Sequence, residues 1–429
     1  MSGPEASGGG GISRALVLLL SVAGAVTVGN LYYIQPLLPD VARYFGVGPG
    51  AVGYVPMLTQ AGYAVGLLLF VPLGDTVERK RLILWLVGAA AAALAATAAA
   101  PGLTWLAAAS FLVGFTTVVP HVAVPLAAHL AAPGERGKAI GAVMSGVLVG
   151  ILLARTVSGF VGGALGWRSV FLMAGGLMVA LGFALQRLLP PSPPTDALSY
   201  PALLRSLLSL VRAHRDLREA SLFGACGFGA FSAVWTTLAF LLAGPPYHRG
   251  SEAAGLFGLI GVCGALAAPL VGRLTDRRGP RFTSAVALLL ALSSFAFFAA
   301  LGDRLWGLVA GVLLLDVGVQ SAHVSNLARI HALDPAARGR LSTVYMVTYF
   351  AGGSLGTWIG AHAWTAFGWA GVSLAGALFL AAALALYLAG SVGWTLGFAK
   401  TITQKPTPTR AGVARHVAAR IRSRERREE

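Results

Sequence analysis

Apolar positions run along this chain in long stretches separated by short polar loops. The stretches fall at residues 13–38, 51–73, 82–100, 103–131, 138–164 and 168–189, then at 219–243, 252–273, 282–301, 305–330, 341–366 and 369–398. Each approaches or exceeds the roughly 20 apolar residues that a helix needs to cross a bilayer core. Backbone polar groups find no water there, so a spanning stretch of this kind must close its hydrogen bonds as a helix. The pattern predicts an all-α membrane protein with twelve transmembrane helices. It divides into a tail (1–12), a six-helix bundle (13–189), a linker (190–218), a second six-helix bundle (219–398) and a basic tail (399–429). The linker opens on Pro190-Pro191-Ser192-Pro193-Pro194, which cannot continue a helix.

Composition supports the same class. Hydrophobic residues make up 56% and charged residues 11% of 429 positions, too little charge to cover a soluble chain of this length. Cys226 and Cys263 both sit in apolar stretches, where packing is their expected role. The net charge of +16 invites a nucleic-acid reading, but its distribution opposes one. Twenty-seven of the 32 Lys and Arg fall on one face of the predicted topology and four on the other. Basic residues stay on the cytoplasmic side, which predicts a multi-pass protein of a bacterial inner (plasma) membrane with both termini cytoplasmic.

The two halves repeat each other. His121, His129, Pro133, Arg136, Gly137 and Met144 have counterparts 202 residues later in His323, His331, Pro335, Arg338, Gly339 and Met346. Gly146, Gly150, Ala154 and Ser158 answer Thr348, Gly352, Gly356 and Gly360; a spacing of four lines each set along one helix face. Two pseudo-symmetric halves in parallel repeat are the pattern of a transporter with its site between them.

One loop sharpens this. Gly272-Arg273-Leu274-Thr275-Asp276-Arg277-Arg278-Gly279-Pro280-Arg281 resembles the signature loop of the major facilitator superfamily, and Pro72-Leu73-Gly74-Asp75-Thr76-Val77-Glu78-Arg79-Lys80-Arg81 is its first-half copy. Thr76 and Glu78 stand where the pattern has arginine and glycine. The resemblance extends over the whole chain and implies a gating role for Asp75, Arg79, Asp276, Arg277 and Arg281. Within the superfamily the chain looks most like the bacterial efflux branch that resembles drug–proton antiporters. Ser110-Phe111-Leu112 replaces the Arg-Phe-Leu of that branch, and Ala154-Arg155 its Gly-Pro. Any coupling therefore runs through other residues.

A charge at the centre of a spanning helix costs roughly 2.5–3.5 kcal/mol on insertion scales. One carboxylate, Asp316, and one arginine, Arg155, fall near mid-membrane. Asp316 lies twelve residues from Arg304 and Arg155 twelve from Trp167, both near the outer face, each roughly 18 Å at 1.5 Å per residue. The two are therefore expected at the same height, as a proton-carrying pair, a solute-binding pair or a structural bridge. Asp316, Gln320 and His323 share a helix face, and Asn326 follows. His121 lies between Pro120 and Pro125, where a bend would turn it inward. Asn30 and Gln35 in the first segment and Trp235 in the seventh complete the candidates. Gln60 is a weaker one, and Tyr32 and Tyr33 fit an interfacial belt.

No arrangement of nucleophile and base, metal cluster or phosphate loop points to an enzyme, a metal or a cofactor. The expected function is proton-coupled export of small amphipathic compounds by alternating access, with solute, protons and lipid as partners and a monomer as the working unit. The alternative is uptake or facilitated passage of a specific metabolite.

Overall fold

The computed structural model describes residues 12–192 and 199–403. Most of the expected N-terminal tail, Pro193 and Pro194 of the linker, and the basic tail beyond Thr403 lie outside the described residues. The chain forms two compact units, Met1–Leu384 and Ala385–Glu429; in the second, the described part is helical.

The described residues contain helices and no strand, and nine of these helices are long and apolar enough to cross a membrane. Helix α1 (Arg14–Gly29) starts at Ser13, whose hydroxyl accepts from the Leu16 amide. The expected first segment does not run unbroken to residue 38. It unwinds after Gly29, turns through Gln35–Leu37 and restarts as α2 (Leu38–Phe45). Pro36 and Pro39 sit in the first turns of these pieces, where their missing N–H groups cost nothing. Helices α3 (Pro49–Val52), α4 (Tyr54–Thr76) and α5 (Arg79–Ala98) follow. The expected segment 103–131 is two helices, α6 (Leu103–Thr116) and α7 (Val119–Leu130), with Pro120 in the first turn of α7. Helices α8 (Arg136–Leu165) and α9 (Trp167–Leu188) complete the first half.

The linker holds a helix of its own, α10 (Tyr200–Ala213), with Leu203 and Leu207 buried and the Tyr200 hydroxyl donating to the Leu69 carbonyl at 3.0 Å. The second half comprises α11 (Arg215–Ala243), α12 (Ser251–Phe257), α13 (Gly261–Arg278), α14 (Pro280–Leu301), α15 (Leu305–His331) and α16 (Arg338–Thr403). Gly368, at φ 59° and ψ −148°, breaks α16 where the eleventh and twelfth segments were expected to part. The left-handed φ suits a residue without Cβ.

Small residues set the helix packing. A Cβ on Gly146 would lie 2.5 Å from the Ser21 carbonyl oxygen, and one on Gly150 would collide with Ala25. In the second half, Gly352, Gly356 and Gly360 press α16 in the same way onto Ala225, Gly229 and Ala233 of α11. Without a hydrophobic drive between helices in lipid, such close approach and interhelical hydrogen bonds carry association. The repeat seen in the sequence is thus a repeat of one packing solution, α8 on α1 and α16 on α11.

Contacts between halves gather at the end remote from the basic loops. There Ser251 donates to the Gly159 carbonyl and Thr156 to the Gly255 carbonyl, each at 3.1 Å, while Gly53 abuts Ala361. At the basic end, Arg79 pairs with Asp75 at 3.1 Å, and Arg281 and Arg329 each reach Glu219 at 2.9 Å. These ion pairs stay within their own halves.

Candidate functional site

Three helices bring together the two charges expected at mid-membrane. Arg155 comes from the middle of α8, Asp316 from α15 and Trp235 from α11. All three are buried, with Arg155 at 2%, Trp235 at 2% and Asp316 at 5% exposure. The Trp235 indole N–H donates to Asp316 Oδ1 at 3.1 Å, and the guanidinium carbon of Arg155 lies 3.9 Å from the centroid of the same ring. Trp235 therefore stands between the charges. No ion pair joins Arg155 to Asp316 among the described residues; the link is a hydrogen bond on one side and a cation–π contact on the other.

The surroundings of Arg155 are aromatic. The Tyr32 ring lies 4.6 Å and the Phe231 ring 5.7 Å from its guanidinium carbon. Its Nε donates to Gln35 Oε1 at 2.8 Å, while Nη2 is buried and has no hydrogen-bond partner among the described residues. Glycines admit the second half to this point. A Cβ on Gly258 would lie 2.9 Å from the Arg155 Cβ, and one on Gly261 would lie 3.3 Å from Asp316 Oδ2.

Further along α15, His323 Nδ1 and the Tyr345 hydroxyl lie 3.1 Å apart, with the Tyr349 ring 4.9 Å from the imidazole. His121, just past the break between α6 and α7, faces the Tyr63 ring at 5.9 Å. Tyr63 in turn meets Phe350 at 4.4 Å, and Tyr349 stacks on Phe228 at 4.2 Å. The two symmetry-related histidines thus line one aromatic and polar region between the halves. Gln320 is half-buried on the face shared by Asp316 and His323.

Other candidates face elsewhere. Asn30 donates through Nδ2 to Met178 Sδ at 3.6 Å, inside the first half. Asn326 accepts from Ser284 at 2.9 Å, inside the second. Asp75 and Arg79 pair with each other, Arg281 pairs with Glu219, and Asp276 and Arg277 are exposed. A groove of about 470 Å³ between α14 and the stretch of α16 just after Gly368, lined by Phe295, Phe298, Trp369, Ser373 and apolar residues, holds no charged side chain. It is remote in chemistry from the Arg155–Asp316 unit.

Sequence reasoning undervalued Gln60. Its Nε2 donates to Thr357 at 2.9 Å, its Oε1 accepts from Ser232 at 3.3 Å, and Thr236 bonds Thr357 at 3.2 Å. This buried knot ties α4 of the first half to α11 and α16 of the second. A signal was present, because the 202-residue offset that pairs the histidines also pairs Arg155 with Thr357. Tyr32 fits a membrane-interface belt by position yet packs on Arg155, and the sequence carried no sign of that.

The model of the Major Facilitator Superfamily matches residues 20–357. An Escherichia coli protein described as an uncharacterized transporter, YgaY, is 42% identical over 366 residues, covering 85% of this chain and 93% of that one. The probable transporter SCO4007 of Streptomyces coelicolor is 36% identical over 377 residues, 87% of each chain. Among solved structures, a bacterial homologue of the human lysosomal transporter Spinster, inward-facing and unoccupied, superposes with a TM-score of 0.70 at 16% identity, over 88% of this chain and 97% of that one. The nucleoside transporter NupG gives 0.72 at 13% identity, over 87% and 98%. At such identities these two structures speak for the fold alone.

Proposed function

The chain belongs to the Major Facilitator Superfamily, and on that premise we propose that it is a secondary active transporter that couples solute movement to protons at Asp316. The family and its relatives make it a multi-pass membrane transporter. We place it in the bacterial inner membrane as a monomer of twelve spans in two six-helix halves, with both termini cytoplasmic. The charge asymmetry supports that orientation. With the basic loops inside, contacts between halves cluster at the outer end, which favours an inward-facing state.

The observation that carries the proposal is the Asp316–Trp235–Arg155 unit at the junction of the halves. A carboxylate inside a membrane is expensive unless it is paired or protonated. Here its nearest named donor is an indole, which bonds the ionised and the neutral acid alike. Rocking of one half against the other moves α8 relative to α11 and α15, and so changes how strongly Arg155 holds the ionised form. That is how a proton is taken up on one side and released on the other. Gln320, His323 and His121 lie along the approach from the basic end. Arg79, Asp75, Asp276, Arg277 and Arg281 are placed to latch that end in the alternate state.

An aromatic lining suits small amphipathic solutes, and export in exchange for protons is the leading direction. The buried, unpartnered Arg155 Nη2 favours a second reading, uptake of a solute together with a proton. Everted vesicles acidified by respiration and loaded with a pH-sensitive dye separate the two. Solute-induced alkalinisation, absent in Asp316→Asn, supports proton-driven export. Solute transport with no proton movement in either protein contradicts coupling at Asp316.

A further inference from the structure

We propose that the transported solute is a compact monoanion with a flat apolar body, held by the edge of the Arg155 guanidinium between Tyr32, Trp235 and Phe231. This rests on coupling at Asp316 in the second form given above, a solute carried together with a proton, and names the solute class.

The geometry leaves one approach to the guanidinium. Aromatic rings lie against it, with centroids at 3.9 Å for Trp235, 4.6 Å for Tyr32 and 5.7 Å for Phe231. The Nε edge is taken by Gln35 at 2.8 Å. Nη2 is enclosed, with no hydrogen-bond partner among the described residues. A buried charged donor left unmet is unfavourable, and proteins retain such groups where function uses them. A carboxylate meets a guanidinium edge-on with paired acceptors, whereas an ammonium or a neutral alcohol offers nothing equivalent. The surrounding rings provide stacking area for an apolar body.

Charge balance ties the anion to the proton. The groups that face Asp316 are Trp235 from α11, Arg155 from α8, Tyr349 within electrostatic reach, and the bare backbone at Gly261. On its own helix only Gln320 and His323 follow on the same face. With Asp316 ionised, the acid and Arg155 cancel, and an incoming anion meets no net attraction. A proton on Asp316 leaves Arg155 uncompensated, and the anion is then drawn in. Anion and proton therefore load together, and the loaded site is electrically neutral.

The test is calorimetric titration of the full chain in lipid nanodiscs with benzoate, benzylammonium and benzyl alcohol, three probes of one shape and different charge. Each titration is run near neutral pH in two buffers of different ionisation enthalpy, which reports proton uptake. Benzoate is expected to bind roughly ten- to a hundredfold more tightly than the other two, with uptake of a proton. Arg155→Lys weakens benzoate, and Arg155→Gln removes its preference. Asp316→Asn keeps benzoate binding and loses the proton uptake. Equal affinity of wild type for benzoate and benzyl alcohol, or tighter binding of benzylammonium, overturns the anion site, and this comparison stands even if Arg155→Gln does not fold. Arg155-dependent benzoate binding without proton uptake in wild type upholds the anion site and sinks coupling at Asp316.

Discussion

Trp235 gives its indole N–H to Asp316 at 3.1 Å and its ring face to Arg155 at 3.9 Å, so one side chain touches both buried charges, one at its edge and one at its face. Replacing it with phenylalanine keeps a ring against Arg155 and removes the donor to Asp316. A hydrogen bond to a charged group is worth roughly 1.5–3 kcal/mol. Trp235→Phe is therefore expected to fold and to lose proton-driven transport by about ten- to a hundredfold, measured as initial rates in vesicles. Retention of full coupling would detach Trp235 from the mechanism.

The charges should also balance each other in stability. Taking one buried charge away strands the other, at a cost of up to roughly 3–5 kcal/mol, while removing both relieves it. Arg155→Gln and Asp316→Asn are each expected to lower thermal stability in detergent more than the double variant does. Additive losses in the double variant would mean that the two sites do not interact.

Gln60 makes two hydrogen bonds between the halves, with Thr357 and Ser232, and Thr236 bonds Thr357 beside them. Gln60→Leu leaves buried hydroxyls unmet, at roughly 1–3 kcal/mol, in the arrangement described here. It should shift the protein toward the alternate state. A cysteine pair at Gly50 and Thr365, which touch across the halves, reads this as slower cross-linking in the Gln60→Leu background. Unchanged cross-linking would make the knot a passive contact.

Asp40 gives this remote end a dependence on pH. Burial raises it above the ordinary carboxylate range; Arg43 opposes the shift, Glu252 across the halves adds to it, and Ser251 opposes it by a hydrogen bond. An acid whose affinity for its proton is raised in one arrangement favours that arrangement when protonated. The support is present in acid and is lost as pH rises through the raised value. Cross-linking of the Gly50–Thr365 pair, taken relative to the same pair in an Asp40→Asn background, should fall as pH rises from the ordinary carboxylate range through the raised value. A slope of opposite sign would show that Asp40 is not the titrating group.

The helices and the two mid-membrane charges were legible in the sequence because both are exceptions. A long apolar run has one stable form in lipid, and Arg155 and Asp316 stand out from the residues around them. Trp235 was only partly legible, since an aromatic residue in an apolar helix is ordinary and its N–H acceptor lies 81 residues away. Asn30 resembled a cavity residue by polarity, but helix rotation turns it to Met178. The interruption at Thr117–Val118 and the restart at Gln35 followed from prolines in view, whereas the helix Tyr200–Ala213 hid behind a proline-rich, arginine-rich stretch. Its apolar stripe of Leu203 and Leu207 was the available signal.

Coupling at Asp316 is tested most directly in proteoliposomes holding pyranine, with wild type and Asp316→Asn compared under an imposed pH gradient and with benzoate as solute. Wild type is expected to accumulate benzoate against its gradient with matched proton movement. Asp316→Asn is expected to exchange labelled for unlabelled benzoate at a comparable rate and to show no pH-driven accumulation. Proton-coupled accumulation that survives in Asp316→Asn would contradict the assignment of the proton to this residue.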